Sequence, residues 1–157
     1  MSKTTRATQA LDKAGIAYEV CSYAYDPDAD KVGMQAAEAL GVAPGMVLKT
    51  LMVLADGKPA CVVVPSDREV SMKKLAAALA AKSAQMMKPA DAERLTGFVV
   101  GGISPFGQKR AVPTLMEEGA LGQPQVFLNG GQRGLQVKLS PADALKALGA
   151  KAAAVVA

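Results

Sequence analysis

The stretch from Met46 to Pro65 constrains the fold most strongly. Met46 to Ala55 is a strongly apolar run, Asp56-Gly57-Lys58-Pro59 is a turn, and Ala60 to Pro65 is an apolar return. Two such runs around an Asp-Gly pair specify an antiparallel β-hairpin. The elements around it are mixed. Ala7, Ala10, Leu11 and Ala14 follow helical spacing, with Gly15 as the stop. Ile16 to Tyr23 reads as a strand, Met34 to Leu40 as a short helix closed by Gly41, and Met72 to Leu79 as a helix capped by Ser66 or Ser71. Ser83 to Met87 reads as a short strand, Pro89 to Leu95 as a helix stopped at Gly97, and Phe98 to Val100 as the start of another strand. Gln125 to Leu128 and Leu135 to Leu139 are strands, and Ser140-Pro141-Ala142-Asp143 starts a last helix that ends at Gly149. Ala152 to Ala157 is either a frayed tail or a short strand. Helices and strands do not alternate as in a doubly wound fold. Residues 1–157 are therefore expected to form a single mixed α/β domain.

Composition narrows the chemistry more than the fold. Histidine is absent, so neither a Ser-His-Asp nor a Cys-His arrangement can be built within the chain. Catalysis must use lysine, carboxylates, hydroxyls, backbone amides or the substrate itself. The two cysteines, Cys21 and Cys61, lie far apart with no CxxC pattern. They read as small reduced core residues rather than as zinc ligands or a disulfide framework. The net charge of +4 is a mild excess that favours an anionic partner such as RNA. The start Met1-Ser2-Lys3-Thr4-Thr5-Arg6 leads into no apolar stretch, and no apolar run approaches the length of a membrane span. A cytoplasmic protein with no membrane partner is expected.

Three segments carry candidate chemistry. In Val47-Leu48-Lys49-Thr50-Leu51-Met52-Val53-Leu54, Lys49 shares a face with Val47, Leu51 and Val53. A lysine there either snorkels outward from an edge position or faces a cleft, where it can hold a phosphate, a carbonyl oxygen or a carboxylate. Gly101-Gly102-Ile103-Ser104-Pro105-Phe106-Gly107 is either a tight bend with a proline-fixed exit or a place where backbone comes close to a ligand and points amides at an oxyanion. It is no Walker loop, because the Gly-Lys-Ser/Thr ending is missing. Asn129-Gly130-Gly131-Gln132-Arg133-Gly134 is either a hairpin turn or a nest of amides that binds an anion with Arg133. Gln108-Lys109-Arg110 adds a basic cluster, read either as a solvated face or as an RNA contact. Tyr23, Asp26 and Asp30 come from one loop region, read either as a plain loop or as one whose Tyr23 binds a ligand hydroxyl or stacks on a base.

Taken together, Leu48-Lys49-Thr50-Leu51, Val100-Gly101-Gly102-Ile103-Ser104-Pro105-Phe106-Gly107-Gln108-Lys109 and Gly130-Gly131-Gln132-Arg133-Gly134-Leu135 resemble, in order and spacing, the bacterial YbaK/EbsC family. The likeness runs from about Leu11 to Gly149. It implies a mixed α/β fold with a strongly curved, barrel-like sheet surrounded by helices, shared with the editing domain of prolyl-tRNA synthetase. It implies an enzyme that deacylates mischarged tRNA, with cysteine on tRNA-Pro as the family's cargo. The implied partners are the acceptor end of the tRNA and, as a candidate, prolyl-tRNA synthetase; neither DNA, a cofactor nor a metal is called for. By residue, the family lysine falls on Lys49, the Gly-x-x-x-Pro element on Gly101 to Pro105, and the pocket tyrosine on Tyr23. Val32 stands where the family carries an aromatic, and Asn129 where it carries a serine. Both changes reshape the expected amino-acid pocket and open the identity of the cargo.

The resemblance also gives the lack of histidine a place. An aminoacyl ester is already activated, and in this family the substrate's own thiol is held to attack the carbonyl and leave as a cyclic thioester. In related domains water attacks, helped by a ribose hydroxyl. Whether the chain acts as a hydrolase or a lyase follows from which of these operates. The protein's part is then positioning and charge stabilisation. The expected assignment puts Lys49 with the Gly101 and Gly102 amides at the ester. Tyr23, Val32, Ser104, Pro105, Asn129, Gly130, Gly131 and Arg133 surround the substrate. Two rivals are an editing enzyme with another cargo, such as alanine or a non-protein amino acid, and a non-catalytic module that binds tRNA or a synthetase.

Overall fold

Asp56 and Gly57 both adopt positive φ, 51° and 81°. A two-residue hairpin loop needs this, because only that turn matches the twist of its strands. The hairpin expected from the sequence is built around them in the computed structural model, which describes residues 4–28 and 32–157. In chain order the elements are α1 (Arg6–Lys13), β1 (Glu19–Ser22), α2 (Val32–Leu40), β2 (Leu48–Ala55), β3 (Lys58–Pro65), α3 (Met72–Ala78), β4 (Ala84–Met86), α4 (Pro89–Thr96), β5 (Thr114–Glu117), β6 (Val126–Asn129), β7 (Leu135–Leu139), α5 (Pro141–Leu148) and β8 (Lys151–Ala153). Short 3-10 turns occupy Pro44–Met46 and Glu118–Gly122.

Strands β2 and β3 pair in register from Leu48 opposite Pro65 to Ala55 opposite Lys58. Alternation sends their side chains to opposite faces, and both faces are covered. Leu48, Met52, Cys61 and Val63 enter one core with Phe98, Phe106, Val126, Leu128 and Val137. Val53, Val62 and Val64 enter another with Leu75 of α3, Leu115 and Val155. Each such side chain, fully buried, contributes roughly 1.5–3 kcal/mol of hydrophobic stabilisation. Helix α2 lays Ala36 and Ala37 over Val47 and Phe127, beside Cys21 and Tyr23.

The strands do not form one barrel-like sheet. They form a three-stranded sheet, β1-β7-β6, and a five-stranded sheet, β4-β2-β3-β5-β8. An isolated bridge between Val47 and Phe127 joins the two. The backbone groups of Val47 themselves bond on the β3 side and to the preceding turn. Its N–H donates to Pro44 O at 3.1 Å, and its carbonyl accepts from Ser66 N at 2.8 Å and from Ser66 Oγ at 2.6 Å. Ser66 is therefore a tether rather than a helix cap, and Ser71 caps α3 by accepting from Lys74 N.

Two further expectations change. Residues 98–100 are not a strand. Phe98 is buried, and the chain turns at once, with Gly102 N–H donating to Val99 O at 2.8 Å. The strand in this region is β5, which pairs in parallel with β3. The tail resolves into β8 and a bridge from Val156 to Val70. Among the described residues, no helix is long and apolar enough to cross a membrane.

Candidate active site

Strand β4 pairs only with Val53–Ala55 of β2. Among the described residues, the same edge of β2 from Leu48 to Leu51 has no partner strand beyond the Val47 bridge. A cavity of about 400 Å³ opens there. The start of β2 forms one wall, with Lys49, Thr50 and Leu51. Gly33 of α2, Ser66 and Glu69 form a second; Val100, Gly101 and Ile103 a third; and Asn129 of β6 with Gln136 of β7 closes the base. Lys49 thus faces a cleft rather than snorkelling outward from an open edge. Its side chain is 23% exposed, and its ammonium lies 3.9 Å from Glu69 Oε1.

The two glycine segments meet each other beside this lysine. Gly101 has φ +90°, and a Cβ there would stand 2.6 Å from the Tyr25 hydroxyl. Gly102 lies on the backbone of the second segment, where a Cβ would stand 2.8 Å from Arg133 N and 2.9 Å from Gln132 Cα. Asn129 fastens the contact. Its amide nitrogen donates to Gly101 O at 3.3 Å and Gln132 O at 3.4 Å, and its oxygen accepts from Gly131 N at 2.7 Å. Arg133 adds a bond from Nε to Val100 O at 2.9 Å and lies over the Tyr25 ring, 5.5 Å from its centroid. Thr5, the cap of α1, donates to Gly130 O from below.

The residues singled out in the sequence therefore separate into groups. Lys49, Gly101 and Asn129 share the cavity. Gly102 does not offer the second amide of the expected pair, because its N–H is already bonded to Val99 O within the turn. Gly101 N–H donates to no acceptor among the described residues. Ser104 is fully buried and structural: its Oγ accepts from Phe106 N, and its carbonyl from Gln108 Nε2. Pro105 lines a separate cavity of about 190 Å³ against α1 and α5. Gly130, Gly131 and Arg133 shape the loop wall without lining the first cavity. In the basic cluster Gln108 turns inward, while Lys109 and Arg110 are exposed. Tyr23 packs with Val47 and Phe127 rather than lining the cavity. Burial pushes its ionisation above the ordinary tyrosine range, helped by neighbouring Tyr25, so it remains a neutral hydroxyl. Asp30 and the side chain of Val32 lie outside the described residues.

Several lining residues escaped the sequence reading. Thr50, Ser66 and Glu69 line the cavity, and Tyr25 supports Gly101 and Arg133. Gln136 is the most informative. In Leu135-Gln136-Val137-Lys138-Leu139 the alternation marks it as a solvent-facing residue, yet it is only 3% exposed. Its face also carries Cys21 and Asn129, its partners in register on β1 and β6.

Mixed α/β topology, a cleft holding one lysine, and clasped glycine loops define a small α/β domain with a ligand-sized cavity. The chain belongs to the aminoacyl-tRNA editing domain family, whose model matches residues 26–147. It is 33% identical over 141 residues to EbsC of Enterococcus faecalis, which is assigned as a Cys-tRNA(Pro)/Cys-tRNA(Cys) deacylase; the match covers 87% of this chain and 84% of that one. It is also 36% identical over 86 residues to the proline–tRNA ligase of Acidithiobacillus ferrooxidans, a match covering 55% of this chain and 15% of that much longer protein. In fold it superposes on the crystal structure of a protein assigned as a trans-editing enzyme for prolyl-tRNA synthetase. The TM-score is 0.87 at 23% identity, covering 100% of this chain and 98% of the other. The resemblance to the YbaK/EbsC family is borne out, and the function is aminoacyl-tRNA editing by deacylation.

Proposed function

We propose that the chain acts in trans on a mischarged tRNA, with cysteine on tRNA-Pro as its cargo, and cleaves the ester mainly by positioning it. The observation that carries this is the single cavity shared by Lys49 and Gly101. An aminoacyl ester entering it brings its carbonyl to a cation and to a backbone N–H with no acceptor of its own. Both interactions strengthen as negative charge grows on the carbonyl oxygen, which is what lowers a barrier. Lys49 either polarises that oxygen or anchors the terminal phosphate. Asn129 holds Gly101 in place and shapes the cavity base. With a cysteinyl ester, the substrate thiol attacks the carbonyl carbon, the C–O bond to the ribose breaks, and the ribose oxygen takes up the proton. With other cargoes, water attacks in its place. The exposed Lys109, Arg110 and Arg133 supply positive charge for the acceptor stem. Prolyl-tRNA synthetase is the protein partner proposed to supply tRNA selection.

The test is a deacylation panel of Cys-tRNA-Pro, Ala-tRNA-Pro and correctly charged controls. Clearance of Cys-tRNA-Pro with the controls left intact is expected. Clearance of only non-thiol esters would move the cargo to another amino acid. Salt-sensitive tRNA binding without any change in acylation would make the chain a binding module.

A further inference from the structure

Among the described residues, three buried polar atoms have no hydrogen-bond partner: Gln136 Oε1, Thr50 Oγ1 and the Tyr23 hydroxyl. Orphaned groups of this kind are costly and rare in folded proteins, so two lining one cavity ask for a cause. Gln136 and Thr50 both line the cavity that holds Lys49. The Gln136 side chain approaches the Tyr23 hydroxyl without closing a hydrogen bond to it. Gln136 is 97% buried by its 3% exposure, so bulk water does not satisfy it. An amide oxygen lacking a donor and a hydroxyl lacking any partner thus face a cavity whose other walls include Val47, Leu48, Leu51, Val100 and Ile103.

We propose that Gln136 and Thr50 determine specificity by binding a small hydroxyl- or thiol-bearing side chain of the cargo. The inference rests on the editing function proposed above. A neutral hydroxyl or thiol both donates and accepts, so it satisfies the amide of Gln136 and the hydroxyl of Thr50 together. An aliphatic side chain of equal size leaves both groups unpartnered and is rejected for that reason. Gln136 and Thr50 would therefore separate serine and cysteine from alanine and 2-aminobutyrate, without taking part in ester cleavage.

The test compares four tRNA-Pro esters, seryl, cysteinyl, alanyl and 2-aminobutyryl, with wild type, Gln136→Leu and the isosteric Thr50→Val. Binding of the matching 3′-aminoacylamino-3′-deoxyadenosine amides, which cannot be deacylated, is measured alongside, and circular dichroism verifies the fold. Wild type is expected to favour seryl over alanyl and cysteinyl over 2-aminobutyryl groups by about tenfold or more in one or both readouts. Each variant should bring those ratios close to one, and unfolding temperature should stay level or rise, because an unsatisfied buried group is removed. If wild type cleaves no ester but still binds the seryl amide more tightly than the alanyl amide through Gln136, the specificity pair stands and the deacylase function falls. Equal handling of polar and aliphatic cargo by wild type overturns the proposal. So does a ranking unchanged in both variants while the proteins remain folded.

Discussion

Lys49 contributes little to holding the fold together. Its visible ion pair is 3.9 Å long and reaches a Glu69 side chain that is 74% exposed. A pair so exposed is worth roughly 0–1 kcal/mol. Lys49→Ala is therefore expected to leave the unfolding midpoint nearly unchanged while cutting deacylation by about 10²–10³-fold; single-turnover kinetics and a denaturant titration check the two halves. Near wild-type rates in that variant would remove Lys49 from the mechanism. Asn129 is the opposite case, because its one amide joins three backbone groups. Asn129→Ala should destabilise by about 1–3 kcal/mol and lower activity together with it. These two residues differed in how well the sequence exposed them. A lysine inside an apolar run stands out, and the residues before a Gly-Gly pair draw attention. Gln136 did neither, because strand alternation assigns it to solvent, and only α2, far upstream, converts that face into a cavity wall.

At the level of elements, the β2–β3 hairpin was legible because its turn chemistry and both apolar runs are local. Strand β5 was not legible: Thr114–Glu117 is four residues long, and its identity comes from parallel pairing with β3 on one side and β8 on the other. Phe98 to Val100 reads as a strand start for the same kind of reason: it has strand composition, but the chain turns at Gly102, which packs against residues 132–133. Gly102 carries that contact. Gly102→Ala would drive a Cβ to 2.8 Å from Arg133 N, and backbone cannot yield as a side-chain tip can. A loss of about 1–3 kcal/mol and a marked loss of activity are expected from chemical denaturation and deacylation assays. Gly45→Ala is the control. A Cβ there meets nothing closer than Gln123 Nε2 at 3.6 Å, so its unfolding midpoint should match the wild type.

The whole molecule is closed by its C-terminal segment. Glu117 accepts from Gly119 N at 2.8 Å and, through its other oxygen, from Val155 N at 2.9 Å and Val156 N at 3.2 Å. Burial alone would raise its carboxyl, but those three N–H groups, with the charge of Arg68, outweigh burial and leave it below the ordinary glutamate range. A carboxylate held down in the folded state stabilises above its unfolded value and loses that contribution as pH falls through the folded one. Thermal unfolding should therefore show Glu117→Gln less stable than wild type at neutral pH, with the gap narrowing below about pH 4.3, the usual glutamate value. A gap independent of pH would remove the charge from the clamp. Cys61 gives a second global readout. Burial pushes its thiol up to about 12, so thiol reagents should leave it unmodified in native protein and reach it only on unfolding.

The bond from Asn129 to Gly101 spans 28 positions of sequence and works as a clasp across one side of the cavity. A bulkier guest cannot prise residue 101 outward without also unfastening residues 129 to 133. That side is therefore the one least free to drift. The opposite boundary, where Gly33 abuts Ser66, is tied, among the described residues, through the two bonds of Gln35 to Asp26 rather than directly to the clasped loops. A change of guest within this scaffold is thus expected to be written first into the opening turn of α2.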